Sequence, residues 1–308
     1  MSLFEGLSAF PITPADPSGR VDISALARIV TRIKDAKADS IGLLGSTGAY
    51  MFLSREERLR AVEAAIKAVG GQIPVIVGVG ALRTTDAQAL ARDAKSAGAD
   101  GLLLAPVSYV PLRDEEVYEH FVAVADVGQL PLAIYNNPGT TRFTFSRDLI
   151  CRLSKVPNIV AVKMPLPPDD DYVGELSAIR ATTSSAFRVG YSGDWGGAAS
   201  LLAGGDAWYS VVAGLLPAET LALTRAAQAG DVEMAKQVDA AFEPLWTLFK
   251  EFGSFRVMYV IAELLDLCRA NPPLPIQPLR EEVRQRVAVV LHSLLDDLAQ
   301  ASSETALP

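Results

Sequence analysis

Residues 74–106 read PVIVGVGALRTTDAQALARDAKSAGADGLLLAP. The stretch opens on a short apolar run, VIVGV, and closes on another, GLLL. From about Thr84 the segment between them carries Ala and Leu at helical spacing with charged residues on the other positions. Runs that are apolar at every position suit strands covered on both faces, which is the condition of a parallel sheet. Strand, helix and strand over this length make one parallel crossover.

The same unit recurs in both directions. LSAFPIT precedes a helix from about Asp22, and SIGLLGS precedes one near Ser54, where SREE reads as a capping box. GADGLLLAP leads to a helix near Arg113, LPLAIYN to one at Ser146, and NIVAVKM to one near Asp170. FRVGYSG leads to a short helix at Trp195, and GDAWYSV to one at Pro217. Eight such units over roughly 225 residues predict a (β/α)8 TIM barrel. A doubly wound open sheet is the competing α/β architecture, and no GxGxxG follows the first strand to support it. Past residue 230 the pattern is helical only, over about 231–250, 254–268 and 280–298, with Pro272, Pro273 and Pro275 between the last two. The chain therefore divides into a barrel over 1–230, a C-terminal helical extension over 231–300 packed on it, and a tail over 301–308 expected to be disordered.

The composition narrows the function classes. Of 308 residues half are hydrophobic, the formal net charge is −8 and the pI is about 4.9. No basic stripe is visible, so a nucleic-acid partner is not expected. No apolar stretch approaches the length of a membrane span. The N-terminus lacks a basic segment followed by an apolar one, and a cytoplasmic location is the expectation. Cys151 and Cys268 lie far apart and form no CxxC pattern. His120 and His292 both fall in helical patterns, so no metal centre and no metal cofactor are expected.

In a barrel of this class the chemistry stands at the C-terminal strand ends. Strand 2 ends in GSTG (45–48), strand 4 runs to Tyr109, strand 5 ends in YNNPGTT (135–141), strand 7 in YSGD (191–194) and strand 8 in WYS (208–210). Strand 6, IVAVKM, places Lys163 in an otherwise apolar run. A charged amine removed from water is costly unless it is paired or loses its proton. A lysine tied to a carboxylate is the plain reading. The sharper one is a nucleophilic amine that forms a Schiff base, which requires the neutral form. Lowering its pKa from about 10.4 to near 7 takes roughly 4–5 kcal/mol of differential interaction. Tyr135 ends the neighbouring strand, where a phenol can shuttle protons during carbinolamine formation and dehydration. Ser46 and Thr47, between glycines, offer hydroxyls and backbone N–H groups to a carboxylate. Thr140, Gly193, Asp194 and Ser210 are expected to line the distal part of the pocket. Prolines flank Tyr109 in PVSYVPL, and a stiff loop with an aromatic tip suits a subunit contact, so at least a dimer is expected.

Together GSTGAYMFLSREER (45–58), YNNPGTT, NIVAVK (158–163), SGD (192–194) and residues 74–104 resemble the dihydrodipicolinate synthase / N-acetylneuraminate lyase family, over about residues 4–295. The resemblance implies a (β/α)8 barrel with C-terminal helices, usually in tetramers, and a lyase or aldolase that works on pyruvate or another 2-oxo acid without a cofactor. It implies that Lys163 is the Schiff-base lysine and Tyr135 the proton shuttle. Ser46 and Thr47 would hold the 2-oxo acid carboxylate, with Thr47 in the relay. Tyr109 would be lent to a neighbouring subunit's site, and the Tyr209 carbonyl would lie near the bound pyruvyl group. The chain departs from the family pattern at Ala49, usually glutamate, at Ser108, and at Thr140, where synthases carry an arginine for the second substrate's carboxylate. Arg142 stands two residues on.

A missing guanidinium forfeits a bidentate carboxylate contact. The leading expectation is accordingly a Schiff-base lyase acting on a 2-oxo acid other than the synthase substrate, such as a 2-oxo-3-deoxy sugar acid, with weak synthase activity. The second is dihydrodipicolinate synthase itself. The third is a barrel that binds a 2-oxo acid without catalysis.

Overall fold

The computed structural model describes residues 3–304. Eight parallel strands close into a barrel in chain order: β1 Gly6–Ala9, β2 Ser40–Leu43, β3 Val75–Gly78, β4 Gly101–Leu104, β5 Leu132–Tyr135, β6 Ile159–Met164, β7 Arg188–Tyr191 and β8 Ala207–Ser210, with β8 pairing back onto β1. The helices between them are α1 Ile23–Asp35, α2 Arg55–Val69, α3 Thr84–Ser96, α4 Asp114–Gly128, α5 Pro138–Thr141, α6 Arg147–Leu153, α7 Tyr172–Arg180, α8 Gly197–Leu202 and α9 Pro217–Gln228. Then follow α10 Val232–Phe252, α11 Ser254–Leu264 and α12 Glu281–Glu304. The barrel with its helical extension is the architecture that the alternation of elements predicts. Of the tail over 301–308 expected to be disordered, residues 301–304 instead continue α12, and residues 305–308 lie outside the described residues.

Helix starts follow side-chain chemistry. Asp22, Ser54, Ser146, Asp171 and Asp231 each accept a hydrogen bond from a backbone N–H of the first turn, a contact typically worth about 1 kcal/mol. The capping box expected at Ser54 forms on one side only. Ser54 Oγ accepts from the Glu57 N–H at 3.3 Å, but the Glu57 carboxylate turns away to accept from the Val21 N–H at 2.7 Å and from Arg60. Tying the β1–α1 loop to α2 outweighs closing the box.

The N-terminal end of the barrel is held by a repeated device. Asp39, Asp100 and Asp206, just before β2, β4 and β8, each accept from the N–H of a residue in the preceding strand: Leu7, Val75 and Val189, at 2.7, 2.8 and 2.8 Å. Asp39 also pairs with Arg225 of α9 at 2.7 Å. Gly6, at φ 74°, clears the space for it, because a Cβ there would stand 2.1 Å from the Asp39 Oδ2.

The apolar core has two parts. The larger one lies between strands and helices and continues into α10–α12. The smaller one fills the barrel and consists largely of aromatics and alanines: Phe4, Phe10, Tyr135 and Tyr209 set against Ala105, Ala133, Ala161 and Ala207. Small residues opposite large rings fill the tube and leave the space above them open for a side chain from the strand tops. No helix among the described residues is long and apolar enough to cross a membrane.

Candidate active site

The register of β5 against β6 makes Tyr135 and Lys163 direct neighbours. An irregularity between Leu132 and Ala133 shifts the ladder by one residue, so Ala133 faces Ala161 and Tyr135 faces Lys163. Such a bulge re-aims the side chains that follow it. The ladder continues past the pair, with the Asn136 N–H donating to the Lys163 carbonyl at 3.0 Å.

Lys163 is only 3 % exposed. Its Nζ lies 3.7 Å from the centre of the Phe10 ring, 4.4 Å from that of Tyr135 and 5.5 Å from that of Tyr209. No ion pair to Lys163 forms among the described residues. Burial pushes its pKa down from the usual lysine value to about 7, with the charge of Asp194 pulling the other way. The ring faces also favour the ammonium, yet desolvation is the larger effect. Near neutral pH a substantial fraction of this amine is free to attack a carbonyl.

Asp194 is itself buried and braced. Oδ1 accepts from Trp208 Nε1 at 3.2 Å and the Val211 N–H at 3.1 Å, and Oδ2 accepts from the Val212 N–H at 2.8 Å. Burial raises its pKa to about 6 against the pull of those hydrogen bonds. It ties the end of β7 to the turn after β8, so its work is largely structural although it borders the cavity.

The Tyr135 hydroxyl is 3.3 Å from Ser46 Oγ and accepts from Asn137 Nδ2 at 2.9 Å. Burial raises its pKa, and the two hydrogen bonds oppose the rise. In GSTG, Gly45 is required by the Phe10 ring, whose Cδ1 would meet an added Cβ at 2.6 Å. Gly48 is required by the backbone of Leu44, at 2.9 Å. Leu44 and Ala49 both adopt left-handed φ values, 55° and 53°, a strained conformation for side-chain-bearing residues. This tight turn presents Ser46 and Thr47 to the cavity. Thr47 stands beside Ser46 at the cavity. Its hydroxyl makes no hydrogen bond among the described residues, and the hydrogen bonds run from the Ser46 hydroxyl to that of Tyr135, which the Asn137 amide also contacts.

These groups border one cavity of about 920 Å³ at the C-terminal strand ends. Of the residues expected to shape its distal part, Thr140, Gly193 and Asp194 do so. Ser210 does not: it is fully buried behind the wall, where its Oγ accepts from the Ala213 N–H at 3.1 Å. Tyr209 is also buried below the cavity, packed edge-on against Phe10 at 6.0 Å. Tyr109 is 94 % exposed and stands outside its own chain's cavity. Arg142 is exposed as well and does not reach the cavity.

Five further residues border the cavity without a role expected from the sequence. Phe10 directly follows β1, at a strand end that carries no polar group. Asn137 lies inside the YNNPGTT motif without a role assigned to it. Arg256, with Phe249 and Phe255, reaches the cavity from the C-terminal helices, and nothing in the sequence shows which helix ends overhang the barrel. Among the described residues no group of three or more His, Cys, Asp or Glu could hold a metal ion. His120 is buried, its Nδ1 2.9 Å from Thr84 Oγ1, and His292 sits on the outer face of α12 beside Asp296.

Comparison with known proteins agrees with this geometry. The family model described as the dihydrodipicolinate synthetase family matches residues 3–294. A protein of Pseudomonas putida (strain W619) named 4-hydroxy-tetrahydrodipicolinate synthase is 34 % identical over 284 residues, covering 91 % of this chain and 94 % of its own. A crystal structure of dihydrodipicolinate synthase from Agrobacterium tumefaciens str. C58 superposes with a TM-score of 0.94 at 60 % identity, covering 95 % of this chain and 98 % of the other. The Acinetobacter baumannii dihydrodipicolinate synthase, solved with pyruvate, gives a TM-score of 0.86 at 28 % identity, with 95 % and 99 % covered.

Proposed function

The chain belongs to the dihydrodipicolinate synthetase family, a family of lyase-type enzymes, and from that membership we propose that it condenses pyruvate with an aldehyde through a Schiff base on Lys163. The single observation that carries the reading is the Lys163–Tyr135 pair: a buried amine with a pKa of about 7 directly across the ladder from a buried phenol.

The free amine adds to the carbonyl carbon of pyruvate and gives a carbinolamine. Tyr135 supplies a proton to the departing hydroxyl, water leaves, and the imine forms. Ser46 and Thr47 hold the carboxylate at the turn. Loss of a proton from the methyl group gives an enamine, whose carbon attacks the aldehyde carbon. The aldehyde oxygen takes up a proton as the new carbon–carbon bond forms. Water, or an amine carried by the product, then releases Lys163. The Ser46 and Tyr135 hydroxyls return protons to the reacting atoms, with the Asn137 amide orienting the phenol.

The aldehyde we infer is aspartate semialdehyde, which would make the protein a 4-hydroxy-tetrahydrodipicolinate synthase like its named relatives. These relatives weigh for the synthase over the wider 2-oxo acid lyase that leads from the sequence. A second reading keeps the Schiff base and changes the acceptor. It is favoured by Thr140, which borders the cavity without the charge that an arginine at that position would bring. The assembly we propose is a homo-oligomer, supported by Tyr109 at 94 %, Val110 at 65 % and Leu82 at 60 % exposure.

Two assays test the reading. Borohydride reduction with pyruvate should leave a stable mass gain on Lys163, and purified protein should condense pyruvate with aspartate semialdehyde with a kcat/KM of order 10⁴ M⁻¹s⁻¹ or more. An adduct with turnover only of other 2-oxo acids or aldehydes would select the second reading. Absence of the adduct would exclude both.

A further inference from the structure

Among the described residues, two basic side chains border the cavity. Lys163 is at its floor, and Arg256 is on the wall that the first turn of α11 contributes. Arg256 is half-buried, and among the described residues no carboxylate pairs with it. Its Nη1 donates only to the Phe252 carbonyl, at a long 3.5 Å. The acidic residues that border the cavity are Asp170 and Asp194, and Asp194 is already committed to three donors. A cation in the first turn of a helix also runs against the helix dipole. Local helix stability therefore gives no reason for an arginine here, and neither does an internal ion pair.

Gly253 sets the placement. It joins α10 to α11 at φ 81°, in the left-handed region, and lies against the Arg256 Nη1, 3.5 Å from where a Cβ would stand. The chain thus turns sharply at the rim, and the guanidinium folds back over the end of α10 at the cavity's edge. Pyruvate, a molecule of a few heavy atoms, fills only a small part of about 920 Å³. The remaining space, bordered by both Lys163 and Arg256, has room for a second substrate.

We propose that Arg256 recognises a carboxylate on the acceptor, so that the enzyme selects acidic aldehydes from its C-terminal helices and not from the loop that carries Thr140. The guanidinium offers a planar pair of donors that matches a carboxylate. The inference rests on the Schiff-base reading of Lys163 and makes Arg256 a specificity residue, apart from the carbon–carbon bond chemistry.

The test uses wild type, Arg256→Gln and Arg256→Lys as full chains. First, each is reduced with borohydride in pyruvate and weighed intact. Equal adducts in all three are expected, and failure of the wild type here would count against the Schiff base, not against Arg256. Second, condensation is measured with aspartate semialdehyde, succinic semialdehyde and the uncharged butanal. Arg256→Gln should raise KM for the acidic aldehydes by about 10- to 100-fold, leave butanal within about 2-fold, and be partly rescued in Arg256→Lys. An equal loss for all three aldehydes, no loss for the acidic ones, or a wild type that forms the adduct yet shows no preference for acidic over neutral aldehydes, would each overturn the assignment.

Discussion

Lys163 sits on a strand flanked by two parallel neighbours, is 3 % exposed, and is enclosed by three aromatic rings. Arg256 sits one turn after a left-handed glycine at a helix junction, half-exposed, with a single long hydrogen bond. The floor of the cavity is thus held from all sides by the barrel. The wall is carried by α11, which packs on α10 and α12. Backbone hydrogen bonds and core packing fix the floor to well within the tolerance that covalent chemistry needs. On the proposal for Arg256, the wall selects the acceptor and can change its side chains without disturbing the ladder between β5 and β6. Such a division, with chemistry on the rigid part and selection on the replaceable part, would allow one barrel to serve several acceptors.

The comparison predicts effects of different size and kind. Lys163→Ala should abolish the borohydride-trapped pyruvate adduct altogether, as read by intact mass. A gain equal to that of wild type would place the chemistry elsewhere and erase the floor as a catalytic region. Tyr135→Phe keeps the ring over the amine and removes the proton donor. It should lower turnover by about 10²-fold or more with little change in melting temperature, whereas a wild-type rate would leave the phenol a packing residue.

The pH dependence sharpens the floor further. With the Lys163 pKa near 7, the amine is an inert ammonium below that value and a nucleophile above it. Adduct formation should therefore rise as pH rises through about 7 and level off above it, in a stopped-flow or quench series. A midpoint in the ordinary lysine range would mean that burial does not dominate. The same shift carries a stability signature. The folded pKa lies below the unfolded one, so the cost of burying the ammonium is complete below about pH 7. It is relieved as pH climbs toward the ordinary lysine value.

The smallest effect belongs to the rim loop after β4. If Tyr109 completes a neighbouring subunit's site, Tyr109→Phe should lower turnover by about 10-fold, or roughly 1.4 kcal/mol in barrier, while the pyruvate adduct still forms. Sedimentation should show an oligomer. A monomer with full activity would make Tyr109 a plain surface residue and confine the site to one chain.

The alternation of apolar runs and helical segments carried the barrel, because a two-sided parallel sheet needs continuous apolar strands and crossovers of fixed length. Lys163 stood out because an amine among apolar neighbours is costly wherever the strand is buried, and Tyr135 because it ends the next strand. GSTG announced a tight turn that its glycines do make. What the sequence could not supply was register and overhang. The bulge between Leu132 and Ala133 decides that Tyr135 faces Lys163, and a one-residue shift in a ladder leaves no trace in composition. Ser210 was assigned to the pocket from its place at a strand end, but strand residues alternate faces, and its side chain turns behind the wall to cap the next turn. Phe10 and Arg256 reach the cavity from opposite ends of the chain. Strand and helix identities are local, set by periodicity and side-chain chemistry within each segment. The amine's depressed pKa, its aromatic enclosure and the guanidinium above it arise from groups far apart in sequence, which only closure of the barrel and docking of α10–α12 bring together.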